Sequence, residues 1–241
     1  MKESEIAEVY YKRLSEYLGK LKAKFIYCDE ISILDVENGE IVMSTTESNI
    51  GLIDGDYKHY LDVLGNNGMP FKDIHHSEYT KRIGMTLFGT MKRTDPITME
   101  ETDVVNGIVT IRVNTNNAIG PLLQQWPGSG ETGETLLVRR DGDRLLFLNN
   151  TRHLMDTALR MSIPAKSMAP ESFMLDAAEE GIIKTFDHRG VEVLLAFRYI
   201  PQLKWGLMVK QDTSEAFKSI MELKNQVITL AIASVCIIVV I

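Results

Sequence analysis

The chain has 241 residues, 26 Lys and Arg against 33 Asp and Glu, a net charge of −7 and an apolar fraction of 44%. An acidic chain without a basic cluster excludes nucleic acid as a partner, since phosphate binding needs concentrated positive surface. The two cysteines, Cys28 and Cys236, are far apart and one lies in an apolar run, so no disulfide is expected and the fold must rest on its core.

From Ile6 to Phe25, apolar residues recur at three- and four-residue steps (Ile6, Val9, Tyr10, Leu14, Tyr17, Leu18, Leu21, Phe25). This is one stripe of an amphipathic helix, whose C-terminal half is expected to pack on a sheet. Next, Ile31 to Asp35 and Ile41 to Ser44 flank Asn38-Gly39, a strong hairpin signal. Gly51 to Ser77 is punctuated by Asp, Asn, Gly and Pro and reads as irregular cover over a sheet, with a short helix from Tyr57 to Leu64. Arg82 to Lys92 and Gly107 to Val113 read as strands joined across Thr94-Asp95-Pro96, and Asn114 as the cap of a short helix.

The plan then repeats. A second hairpin turns at Asp141-Gly142. A mixed stretch with a helix near Glu171 to Glu180 follows, then strands Ile182 to Phe186, Val191 to Tyr199 and Trp205 to Lys210. Asp212-Thr213-Ser214-Glu215-Ala216-Phe217 answers Asn114-Thr115-Asn116-Asn117-Ala118-Ile119 about a hundred residues earlier. Equal spacing of two turn pairs and two strand-to-helix junctions predicts two copies of one α+β unit. Finally, Val227 to Ile241 (VITLAIASVCIIVVI) carries no charge, proline or glycine and is shorter than the roughly 20 residues of a full span. It is expected to begin a transmembrane helix; a tail anchor or a buried core helix are the alternatives.

The sequence resembles a double Cache domain, a sensor of two PAS-like modules on one long N-terminal helix. The likeness is carried by GETGETLLV at Gly130 to Val138, the Asp141-Gly142-Asp143 turn, Arg189-Gly190-Val191, Trp205-Gly206-Leu207 and Asp212 with Ala216-Phe217. The resemblance implies an N-terminal stalk helix (1–25), a membrane-distal module (26–126), a proximal module (127–217), and a juxtamembrane helix with a truncated membrane segment (218–241). It also implies an α+β fold with mainly antiparallel, stacked sheets. The implied function is extracytoplasmic ligand sensing for a transmembrane receptor, a sensor histidine kinase before a chemotaxis receptor. A membrane-anchored dimerisation scaffold with a vestigial pocket is the contrasting expectation. A homodimer is implied in the full-length receptor.

Strand alternation puts Val109, Ile111 and Val113 on one face and Thr110, Arg112 and Asn114 on the other. Arg112 is the leading candidate for a ligand contact because a guanidinium offers two parallel donors to a carboxylate; a salt-bridged or solvent-facing arginine is the alternative. Tyr57, Tyr60, His75, His76, Ser77, Tyr79 and Asn114 complete the candidate set. Family members that sense amino acids carry Arg-x-Trp-Tyr and a later aspartate, whereas this chain has Tyr79-Thr-Lys-Arg-Ile83 and Arg112. The expected ligand is therefore an organic acid or other carboxylate-bearing molecule. No metal, cofactor or catalytic constellation is expected: His75 and His76 are adjacent and on extended chain point apart, and neither a nucleophile elbow nor a phosphate loop is present.

Overall fold

The computed structural model describes residues 3–66, 68–95, 98, 100–124, 130–152, 154, 156–164, 180–187 and 189–240. Two compact units divide the chain, 1–121 and 122–241. Of the helix expected near Glu171 to Glu180, residues 171–179 lie outside the described residues.

In the first unit, α1 (Glu3–Lys24) precedes β1 (Cys28–Leu34) and β2 (Ile41–Ser44). Gly39 turns the hairpin at φ +78°, a left-handed backbone that glycine adopts without steric cost. After α2 (Tyr57–Gly65) come β3 (Phe71–His76), β4 (Ile83–Thr94) and β5 (Glu101–Asn114), and the antiparallel order is β2-β1-β5-β4-β3. Leu14, Leu18 and Leu21 of α1 pack on Ile31, Ile33, Met43, Val109 and Ile111, one face of this sheet. Sheet packing thus falls towards the C-terminal half of the stripe, as expected, through Leu14, Leu18 and Leu21, whereas Val9, Tyr10, Tyr17 and Phe25 are exposed. The opposite face carries Leu34, Phe88 and Ile108, covered by Tyr60, Leu61 and Leu64 of α2.

Two features depart from the sequence reading. Phe71–His76 is an edge strand on β4 rather than irregular cover, because backbone pairing with Ile83–Leu87 overrides its polar composition. β5 begins at Glu101 rather than Gly107, and its polar first half pairs with Lys92 and Thr94 in an extended hairpin. Asn114 caps α3 (Thr115–Ala118) as expected, its Oδ1 accepting from the Asn117 amide at 3.2 Å. A short α4 (Gly120–Gln124) follows.

The second unit repeats the order. β6 (Glu134–Asp141), β7 (Arg144–Phe147), β8 (Ser162–Pro164), β9 (Glu180–Phe186), β10 (Glu192–Ile200) and β11 (Trp205–Asp212) form the sheet β8-β7-β6-β11-β10-β9. Without the added edge strand β8, this is the first unit's order shifted along the chain. Leu136, Val138, Phe147, Val193, Leu195 and Met208 form its core.

A short α5 (Thr213–Ala216) leads into α6 (Lys218–Val240). The Glu215 carboxylate of α5 accepts from the amides of Glu131 at 2.7 Å and Thr132 at 2.8 Å and from the Thr132 hydroxyl. These donors hold its pKa down at about 2 and tie the root of the C-terminal helix to the loop entering β6. The apolar run from Val227 forms the end of α6. Among the described residues, no helix is long and apolar enough to cross a membrane.

Candidate functional site

Because side chains alternate along a strand, the register of the first sheet lines up three polar residues on the face covered by α2. Arg112 of β5 stands opposite Glu30 of β1 on one side and Thr86 of β4 on the other. A fourth, Asp54, comes from the loop before α2. The Asp54 amide is bonded to Gly39 O at 2.9 Å, and its Oδ1 accepts from the Asp56 amide at 2.9 Å.

Arg112 is buried and paired twice. Its Nη1 donates to Glu30 Oε2 at 2.7 Å and Ser32 Oγ at 3.3 Å, and its Nη2 donates to Asp54 Oδ2 at 2.6 Å. Ser44 and Asn49 donate to the other Glu30 oxygen at 2.5 and 2.8 Å. The Tyr79 ring lies over the guanidinium, 4.2 Å from its carbon, a cation–π contact. The Tyr79 hydroxyl donates to Ile53 O and accepts from the Gly55 amide, fastening the loop that carries Asp54. Arg112 is therefore the salt-bridged sheet residue that the sequence left as an alternative. The preference for an organic acid rested on an unpaired cation here, and the structure removes that premise.

A cavity of about 290 Å³ opens beside this cluster. Arg112, Thr86 and Tyr60 form its sheet and helix walls, Tyr79, Glu78, His75 and His76 come from β3 and the turn after it, and Lys72, Asp56 and Gly55 complete the lining. Tyr60 is 1% exposed and stacks on Phe88 with ring centroids 4.5 Å apart; burial pushes its hydroxyl pKa far above the ordinary value. Burial lowers the pKa of His75, whose Nδ1 lies 2.8 Å from Asp73 O. Lys72 and Asp56 are ion-paired to each other.

Five of the eight sequence candidates line this cavity: Arg112, Tyr60, His75, His76 and Tyr79. The other three have structural positions. Tyr57 packs in the α2 core and against the Gly39 turn, the Ser77 hydroxyl accepts from the Tyr79 and Thr80 amides, and Asn114 caps α3. Sequence reasoning missed Glu30 and Asp54. Glu30 had a signal, a charge within the strand CDEISIL, whereas Asp54 had none that distinguishes it from the loop acids around it.

Burial pushes the Asp54 carboxyl above its ordinary 3.8, and the Asp56 amide and Arg112 do not offset it. A raised folded-state pKa means a contribution present below the unfolded pKa and lost as pH rises through the folded one. Asp54→Asn should therefore keep the fold, raise thermal stability at neutral pH and flatten the decline of stability above about pH 4. Thermal melts between about pH 4 and 8 test this; a variant less stable than wild type at neutral pH would refute it.

The second unit holds a counterpart. Lys210 precedes the Asp212 cap by two residues, as Arg112 precedes Asn114, and Glu134 of β6 stands opposite it as Glu30 stands opposite Arg112. Lys210 Nζ is 3.0 Å from Glu134 Oε2 and 2.7 Å from Asp187 Oδ2, with all three side chains at most 2% exposed. Here a second cation is present: Arg189 Nε lies 2.7 Å from Asp187 Oδ2, and its Nη2 lies 2.5 Å from Asp212 Oδ1. Burial alone would raise Asp187, but Lys210 and Arg189 outweigh it and hold its carboxyl at about 2.

No family model matches the chain, and no curated protein matches it. Solved structures do. The extracellular domain of the candidate histidine kinase rpHK1S-Z16 superposes with a TM-score of 0.56 at 16% identity over 85% of this chain and 78% of that one. The ligand-binding domain of the Pseudomonas aeruginosa amino acid chemoreceptor PctB, in complex with L-Arg, gives 0.58 at 14% over 94% and 83%. The sensor domain of the Vibrio cholerae histidine kinase DctB gives 0.53 at 10% over 87% and 81%. An N-terminal helix followed by two antiparallel sheets is a Cache or PAS-like fold, and that is the fold this chain shares with these sensor domains.

Proposed function

We propose that this chain is the extracytoplasmic ligand-sensing part of a transmembrane sensor histidine kinase, and that the cavity of the first unit takes its signal, a small polar molecule. The observation that carries the reading is the placement of the cavity on a sheet whose opposite face holds α1. Glu30 and Arg112 face the cavity side; their chain neighbours Ile31 and Ile111 pack on the helix. A ligand that alters the Arg112 cluster therefore acts one residue away from the helix contacts, and helix shifts of about 1–2 Å are a common currency of receptor transitions. The ligand acts only through its difference in affinity for the two states. In this reading the change passes through α6 to a membrane span and a cytoplasmic kinase, in a receptor that works as a homodimer.

PctB among the structural neighbours supports a chemoreceptor as the second reading of the output; the sequence following residue 241 separates the two, kinase motifs against long heptad arrays. An open polar cavity beside Arg112 speaks against a scaffold with a vestigial pocket.

A thermal-shift screen of the chain against amino acids, amines, carboxylates, betaines and sugars tests the sensing role. One chemical class should raise the melting temperature in a saturable way, by about 2.7 kcal/mol of added stability at a hundredfold excess over Kd. Uniformly flat responses across all classes would count against a small-molecule sensor.

A further inference from the structure

The two sheets end in edge strands of different character. β3, at the edge of the first sheet, has no exposed large apolar side chain. β9, at the edge of the second, exposes Ile182 at 70% and Phe186 at 63%, and no described strand pairs with its outer side. A free strand edge offers a row of unpaired amides and carbonyls, and an exposed apolar edge is a template for pairing with another chain. The register of β9, β10 and β11 sets Ile182, Ala196 and Val209 in one line across one face of the sheet. With Leu207 they form an open apolar depression of about 470 Å³. Two exposed ion pairs flank that line on the same face, Glu180 with Arg198 at 3.2 Å and Lys184 with Glu192 at 3.0 Å.

We infer that β9 pairs antiparallel with β9 of a second copy of this chain, about a two-fold axis at Ile182. Such an interface is self-complementary, so each residue of the strand meets a fixed partner. Centring on Ile182 sets Glu180 opposite the partner's Lys184, and Lys184 opposite the partner's Glu180. Arg198 and Glu180, then the partner's Lys184 and Glu192, form a row of alternating charge, and the two-fold axis repeats that row on the other side of Ile182. The apolar line Val209-Ala196-Ile182 continues through the partner's Ile182, so each copy covers the side chain that the other exposes. Centring on Ile183 instead sets Glu180 opposite Phe186 and Ile182 opposite Lys184, and loses both matches. Opposite charges across a strand pair favour pairing and like charges oppose it, so the order of charges in β9 selects the first register. The seam uses no residue of the ligand cavity, so it stands whether or not that cavity takes the signal.

The test is disulfide trapping in a chain carrying Cys28→Ser and Cys236→Ser. Residues directly opposite across an antiparallel pair have Cβ atoms about 4.5–5.5 Å apart, close to the roughly 3.5–4.5 Å of a disulfide. Ile182→Cys should therefore give a crosslinked dimer under mild oxidation. Phe186→Cys should not, since in this register its two copies lie roughly 27 Å apart along the seam at about 3.4 Å per residue. Adding Glu180→Lys to Ile182→Cys sets like charges opposite each other on both sides of the axis and should cut the crosslinked fraction at least about fivefold. Adding Lys184→Glu as well makes the opposed charges opposite again and should restore it. All four positions are exposed, so the melting temperatures of these variants should stay near that of the parent chain. Absence of crosslinking at Ile182→Cys, equal crosslinking at Phe186→Cys, or a yield that the charge reversals leave unchanged would overturn the seam. If the chain nonetheless sediments as a dimer, the homodimer of the proposed receptor survives that loss.

Discussion

Arg112→Ala should destabilise the first unit by about 3–5 kcal/mol, the range for removing one partner of a buried ion pair. The loss is large because two carboxylates are left behind, Glu30 and Asp54, both with fully buried side chains. Neither can move to water without breaking the sheet face or the loop bonded to Gly39 and Tyr79. Glu30 has two other donors, Ser44 and Asn49, and these soften its share of the penalty; among the described residues, the only side-chain donor to Asp54 is Arg112. Urea denaturation, followed by hydrogen exchange at the β1 and β5 amides, measures the effect. Combining Arg112→Ala with Glu30→Gln and Asp54→Asn should recover much of it, since the cost is the uncompensated charge rather than the missing contact. A single variant within about 1 kcal/mol of wild type, the scale of a surface ion pair, would show that the cluster is not buried as described.

Lys210→Ala should be nearly as damaging to the second unit, by about 3 kcal/mol. Arg189 still holds Asp187, so the carboxylate left without a cation is Glu134, 2% exposed at its side chain and still accepting from the Arg152 amide. Trp205, 3% exposed and at the start of the same strand, gives a local fluorescence signal for unfolding. The low pKa of Asp187 adds a pH signature of definite sign. A depressed folded-state pKa contributes stability that is complete above the unfolded value of 3.8 and is lost as pH falls to about 2. The second unit should therefore weaken between about pH 4 and 2, and Asp187→Asn should abolish that weakening. Asp187→Asn should also destabilise the unit at neutral pH, the opposite of Asp54→Asn. If both aspartate variants shift stability in the same direction, the contrast between the two charge clusters does not hold.

Much of this architecture is legible in the chain because it depends on local chemistry. Asn38-Gly39 and Asp141-Gly142 mark the two hairpins, and in each the glycine has the positive φ such a turn requires. The leucine spacing of α1 marks its packed face, and alternation in β5 separates Val109 and Ile111 from Arg112. What was not legible depends on pairing over long distances. Phe71–His76 is a strand only because β4 lies beside it, and its Lys72, Asp73 and two histidines give no apolar alternation to read. The site has the same character: Arg112 stands out as a charge in mid-strand, but its partners are 82 and 58 residues away. A sequence pattern cannot tell a cation awaiting a ligand from one already paired.

The measurement closest to the central claim is an amide chemical-shift map of the chain saturated with the ligand that the thermal-shift screen yields. The account predicts shifts at residues 54–60, 72–79 and 86 and at Arg112 around the cavity, with smaller ones at Ile31 and Ile111 beneath α1. Shifts concentrated instead among residues of the second unit, or spread without a maximum at the cavity, would contradict it.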